Sequence, residues 1–118
     1  MNVCHKLITR RFSTSSVRNK EIEFYRSIDD WWSPKGPQGQ LHRFNQVRVN
    51  FIRRIMLQQL RSKGIIGGQE ELLSSLNVLD VGCGAGILSE SLARLGFGSV
   101  TGIDPTDKCV ELANEHLS

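Results

Sequence analysis

The residues of this chain whose types and spacing could do chemistry are Asp80, Gly82, Gly84 and Asp104, with Cys83 between the two glycines. Three of the four fall in the stretch NVLDVGCGAG, residues 77–86. Gly82 and Gly84 let the backbone take conformations that a side chain forbids, and let a ligand come close. Backbone N–H groups near the start of a following helix can face that ligand. Asp104 lies 18 residues after Gly86. A carboxylate there can accept hydrogen bonds from both hydroxyls of a ribose. Asp80 would attract a cationic group. Cys83 is a nucleophile by type, but inside a glycine turn the expected role is a small side chain that fits.

Spacing separates the ligands such a turn could hold. From Gly82 the sequence runs G-C-G-A-G-I, so the sixth position of a G-x-G-x-x-G dinucleotide fingerprint is Ile87. No Gly-Lys-Ser/Thr follows, so this is not a phosphate-binding P-loop. Asp80 also disfavours a nearby pyrophosphate, because like charges repel. A ligand with a ribose and no phosphate, plus an ammonium and a carboxylate, suits the set. S-adenosylmethionine carries those groups, and Arg48 is the residue that could take its carboxylate.

Arg48 stands out because of the helix that must carry it. Residues 44–63 have helical periodicity, with Phe44, Val47, Phe51, Ile52 and Ile55 on one face at about 100° per residue. Arg48 falls inside that apolar arc. A buried guanidinium is costly unless an anion meets it. The anion could be a ligand or a protein carboxylate, or the side chain could snorkel to solvent. Arg53, Arg54 and Arg61 are expected on a solvated side. Residues 31–69 hold seven basic side chains and no acidic one. A solvated basic face is the expectation, with contact to an anionic membrane surface as the alternative.

The other elements follow from pattern. Residues 21–32 read as a short helix, which SPKGPQGQ breaks with two prolines and two glycines. Residues 76–81 fit a buried parallel strand. Ile87, Leu88, Leu92 and Leu95 have helical spacing before Gly96, residues 99–104 form a second strand, and a last helix starts at Thr106 or Asp107. The fold class is therefore α/β, the opening of a doubly wound Rossmann-like sheet with two strands, preceded by helices. Three segments are expected: 1–20 disordered, 21–75 helical, 76–118 ligand-binding. Two strands with an exposed edge bury little surface, so the chain alone is expected to be marginally folded and without catalysis.

The net charge of +3 belongs to the tail. Residues 1–20 hold Lys6, Arg10, Arg11, Arg18 and Lys20 and no acid, while the rest carries ten of the 15 basic and all 12 acidic side chains. The body gives no case for nucleic-acid binding. The tail is also rich in Ser and Thr, with Val3, Leu7 and Ile8 at helical spacing, which is the composition of a mitochondrial transit peptide. An Arg-Arg-Phe-Ser stretch resembles a matrix-protease site, placing the mature end near Ser13; a disordered basic tail is the alternative. The three cysteines, Cys4, Cys83 and Cys109, match no zinc spacing and read as reduced thiols. His42 is expected to hold the N-terminal segment, and His116 to be solvent-exposed.

With these residues in view, LDVGCGAG (residues 79–86) resembles the first motif of the class I S-adenosylmethionine-dependent methyltransferases. The segment DDWWSPKGPQGQLHRFNQVRVNFI resembles the region upstream of it in the ubiquinone-biosynthesis O-methyltransferases. Trp31, Trp32, Leu41, His42, Arg43, Asn45 and Arg48 match there, and GILSESLARLG and VTGIDP match further on. The resemblance covers about residues 23–118 and implies that Arg48, Gly82 and Asp104 contact S-adenosylmethionine; Asp80 and Gly84 are expected beside them from their own charge and backbone freedom. It implies methylation of hydroxyls on polyprenylated dihydroxybenzoate and demethylated quinol, a multi-subunit quinone-biosynthesis complex, peripheral association with the inner membrane, and a place on its matrix face in the mitochondrion. The family's Glu-x-x-Glu-His-type element for a divalent metal, expected to be Mg, has no counterpart in these residues. No catalytic residue and no metal ligand is therefore assigned, and a truncated protein is expected. Two alternatives stay open: a non-catalytic product that binds quinone-synthesis partners, and a methyltransferase of another pathway.

Overall fold

The computed structural model describes residues 18–117, and the backbone of residues 6–11. Cys4, Val3 and the cleavage site near Ser13 lie outside them. Within the described residues the order is β1 (Lys6–Arg11), α1 (Asn19–Arg26), α2 (Gly39–Ser62), α3 (Gln69–Ser74), β2 (Asn77–Val81), α4 (Ile87–Leu95), β3 (Ser99–Asp104) and α5 (Asp107–Leu117).

The two expected strands pair in parallel, with Asn77 opposite Ser99 and Val81 opposite Ile103. This is the α/β, Rossmann-like arrangement read from the sequence. The sheet has a third strand that the sequence did not suggest. Lys6–Arg11 pairs in parallel with the other edge of β3, Lys6 opposite Ser99 and Arg11 opposite Asp104, giving the order β1-β3-β2. The expectation that residues 1–20 carry no structure therefore does not hold for these six. The physical reason is the edge itself: β3 offers a row of unpaired N–H and C=O groups, which any extended segment within reach can satisfy.

The core has two centres. Val49 and Leu57 of α2, Leu72 and Leu73 of α3, Leu92 and Ala93 of α4, Phe97 and Val100 form the larger one. Ile28, Trp31, Ala85, Ile87 and Cys109 form a smaller one around the glycine turn. Because α4 begins within that turn and packs on α2, the turn is held between both.

Two packing expectations are corrected. The expected apolar face of α2 is not the buried one. Phe44, Val47 and Phe51 are exposed at 60%, 68% and 56%, while Val49, Ile52, Met56, Leu57 and Leu60 pack inward. Apolar residues surround most of this helix, so periodicity alone cannot select a face; the shape of α3 and α4 does. The second concerns β2, which was read as buried. Its burial alternates, and Leu79 and Val81 are exposed. Among the described residues β2 has a neighbour on one side only, and α4 covers the face that carries Val78 and Asp80.

Candidate functional site

The turn between β2 and α4 has the backbone its glycines allow. Gly82 and Gly84 have φ of +77° and +55°, a region costly for residues with a side chain. A methyl group on Gly84 would also lie 3.0 Å from the Trp31 ring, whereas one on Gly82 would meet nothing within 4 Å. Gly84 is thus required by packing and Gly82 leaves open space. That space belongs to a cavity of about 440 Å³. It is lined by the turn with Asp80 and Asp104, by Arg48 and Leu41 of α2, and by Trp31 with Glu21, Ile22 and Tyr25. All five expected site residues, Arg48, Asp80, Gly82, Gly84 and Asp104, line it.

Asp104, at the end of β3, is 8% exposed. One carboxylate oxygen accepts the Gly84 N–H at 2.9 Å and the other the Thr106 N–H at 2.8 Å. Each oxygen keeps a second lone pair for a ligand hydroxyl. Asp104 thereby ties the tip of β3 to the glycine turn as well as facing the cavity. Asp80 accepts the hydroxyl of the buried Ser89 at 2.5 Å, which leaves acceptor capacity on its carboxylate.

Arg48 settles one question that the sequence left open. No described carboxylate lies within ion-pair distance of it, and among the described residues it is the one cation lining the cavity. Its Nε is buried and has no hydrogen-bond partner. One Nη reaches the Asn45 Oδ1 at 3.1 Å. The protein-carboxylate alternative is thus excluded among the described residues: Arg48 lines the cavity with no carboxylate against it, and its buried Nε–H has no acceptor. Three carboxylates, Glu21, Asp80 and Asp104, and one guanidinium, none ion-paired among the described residues, therefore surround one space. This mixture of acceptors and one donor fits a ligand carrying an ammonium, a carboxylate and a vicinal diol, as S-adenosylmethionine does.

Cys83 is not a nucleophile here. Burial, then the charges of Asp104 and Asp80, push its thiol up to about 12, so it stays protonated at neutral pH. Its sulfur packs where a side chain on Gly102 would sit. Cys109, also free and buried, is pushed up to about 12 by burial and by Asp104. His42 meets the Trp31 carbonyl through Nε2 at 2.9 Å, joining the N-terminal segment to α2. His116, expected at the surface, has a side chain that is 37% exposed but engaged by Glu90 and Trp32. Among the described residues no group of three or more His, Cys, Asp or Glu could hold a metal ion.

Sequence reasoning missed the far wall of the cavity. Glu21, Ile22 and Tyr25 come from α1, which has no buried residue of its own, so its periodicity carried little signal. Asn45 was seen only as part of a matching motif. Its i to i+3 spacing from Arg48 was the available clue.

Comparison with known proteins agrees with this geometry. A family model described as a methyltransferase domain matches residues 78–118. The ubiquinone biosynthesis O-methyltransferase of Methylocella silvestris is 43% identical over 105 residues, covering 86% of this chain and 41% of that protein. The mitochondrial ubiquinone biosynthesis O-methyltransferases of Bos taurus and Dictyostelium discoideum are 39% and 42% identical, over 93% and 83% of this chain and 29% and 30% of theirs. The chain thus spans about two fifths or less of the length of these relatives. Residues 78–118 thus match a methyltransferase domain, and over most of its length the chain is similar to the ubiquinone biosynthesis O-methyltransferases.

Proposed function

We propose that this chain binds S-adenosylmethionine as the cofactor-holding part of an O-methyltransferase of ubiquinone biosynthesis. The observation that carries the reading is the unpaired charge set around one cavity: Arg48 with its buried, unpartnered Nε, and Asp80 and Asp104 opposite in sign. Arg48 would hold the amino-acid carboxylate, Asp80 the ammonium, and Asp104 the two ribose hydroxyls. Gly82, with nothing in the way of a ligand, lets the chain of the cofactor lie against the backbone. When bound, the cofactor supplies an electrophilic methyl on a sulfonium. In this reading the residues described here bind and orient it.

A polyprenylated phenol or quinol would be the acceptor in this reading, which the ubiquinone-biosynthesis names of the relatives favour, and three relatives named mitochondrial support a mitochondrial location; the matrix face of the inner membrane is the place this reading implies. Membrane association in this reading would be peripheral; no helix among the described residues is long and apolar enough to cross a bilayer. A quinone-biosynthesis complex is the partner this reading implies. A divalent metal would need ligands from outside the described residues.

Calorimetric titration of the 118-residue chain with S-adenosylhomocysteine tests the cofactor assignment. Binding is expected, and Asp104→Ala is expected to abolish it. Equal affinity of the two chains would remove Asp104 from the site, and no binding by the unaltered chain would remove the assignment altogether.

A further inference from the structure

Two carboxylates are buried among the described residues, and only Asp104 serves the cavity. The other, Glu90, lies in the first turn of α4, with its side chain 8% exposed. It pairs with Arg94 one turn on, and it accepts a hydrogen bond from His116 Nδ1 at 2.6 Å. A carboxylate can only accept, so Nδ1 carries the proton. The imidazole of His116 lies flat on the indole of Trp32, with centroids 3.5 Å apart and planes 2° apart. That indole donates its N–H to the Ala85 carbonyl, inside the glycine turn, at 3.2 Å. On the same indole, His42 approaches at 5.6 Å while it holds the Trp31 carbonyl. Trp31 in turn presses on Gly84.

These contacts join α5, at the far end of the chain, to the turn that lines the cavity. Burying Glu90 is costly unless it is paired, and its two partners fix its position. With Glu90 fixed, His116 has one place to lie, and the stacked indole has one orientation in which its N–H meets Ala85. We infer that His116 is a positioning residue for the cofactor turn, acting through Trp32. Held by Glu90, it keeps the indole N–H on the Ala85 carbonyl and the Trp31 wall of the cavity against Gly84.

The consequence for affinity rests on the cofactor assignment, whereas the positioning itself does not. The chain has two tryptophans, so it gives two indole N–H resonances, which Trp32→Phe assigns. In the 118-residue chain, His116→Ala is expected to shift the Trp32 indole resonance and the backbone amides of Gly84, Ala85 and Gly86. It is expected to weaken S-adenosylhomocysteine binding about five- to tenfold, the worth of one hydrogen bond of roughly 1 kcal/mol. His116→Phe keeps a flat ring on Trp32 without the bond to Glu90, and should restore at least half of the resonance shift. A lower melting temperature with the indole and turn resonances unmoved would overturn the proposal, since His116 would then be structural only. If the unaltered chain binds no S-adenosylhomocysteine, the cofactor assignment fails, and the Gly84, Ala85 and Gly86 shifts alone decide on His116.

Discussion

The Asn45 carboxamide joins Arg48 to α4. Its Oδ1 accepts from Arg48 Nη2 at 3.1 Å, and its Nδ2 donates to the Ser91 hydroxyl at 2.6 Å and the Ile87 carbonyl at 3.3 Å. Arg48 is thus aimed by a residue one turn before it, which is itself held by the helix that follows the glycine turn. Arg48→Ala should therefore weaken S-adenosylhomocysteine binding about ten- to a hundredfold, the loss of a charge-assisted hydrogen bond worth roughly 1.5–3 kcal/mol. The melting temperature should hold or rise, because a buried unsatisfied guanidinium N–H is removed. Asn45→Ala should cost less affinity and some stability. Calorimetry paired with thermal melts separates the two, and a large loss of stability in Arg48→Ala would show that its partner is in the protein.

Alkaline pH should weaken the fold through its thiols. Cys83 and Cys109 are pushed from 9.0 to about 12 by burial and neighbouring carboxylates. A group whose value is raised in the folded state binds its proton more tightly there than in the unfolded chain. Its contribution is complete below about pH 9 and is lost as pH rises towards 12. The melting temperature should fall between pH 9 and 11, and less steeply in Cys83→Ala/Cys109→Ala. An identical slope in that variant would assign the loss to other groups. Between pH 7 and 8 both thiols should resist alkylation until the chain unfolds.

Deleting residues 1–17 removes β1 and returns β3 to the sheet edge. An exposed parallel edge invites pairing with another chain. The shortened chain should self-associate as concentration rises, which sedimentation velocity would detect. A shortened chain that stays monomeric with an unchanged melting temperature would mean that β1 contributes nothing to the sheet in solution.

Much of the glycine-turn side of the cavity was legible in the sequence because its parts are local. Gly82, Gly84 and Asp80 sit within five residues of one another, and their geometry follows from a strand that ends where a helix begins. Asp104 was legible because β3 runs parallel to β2, which brings both strand ends to one side. The α1 wall was not legible. Glu21, Ile22 and Tyr25 line the cavity from a helix with no buried residue, more than fifty positions before the glycine turn, so no local pattern marks them.

By itself the sequence determined the α/β order, the strand-turn-helix that holds the glycines, and the ligand groups these residues can meet, since each depends on neighbours in the chain. Tertiary structure alone decided which face of α2 is buried, that Arg48 has no described protein counter-ion, and that His116 reaches Trp32 beside the turn. Those outcomes depend on which surfaces are left to pack once the helices meet the sheet. Arg48 makes the division plain: its place in a helix could be read from periodicity, but its unpartnered Nε exists only because α2 packs along α4 through Asn45.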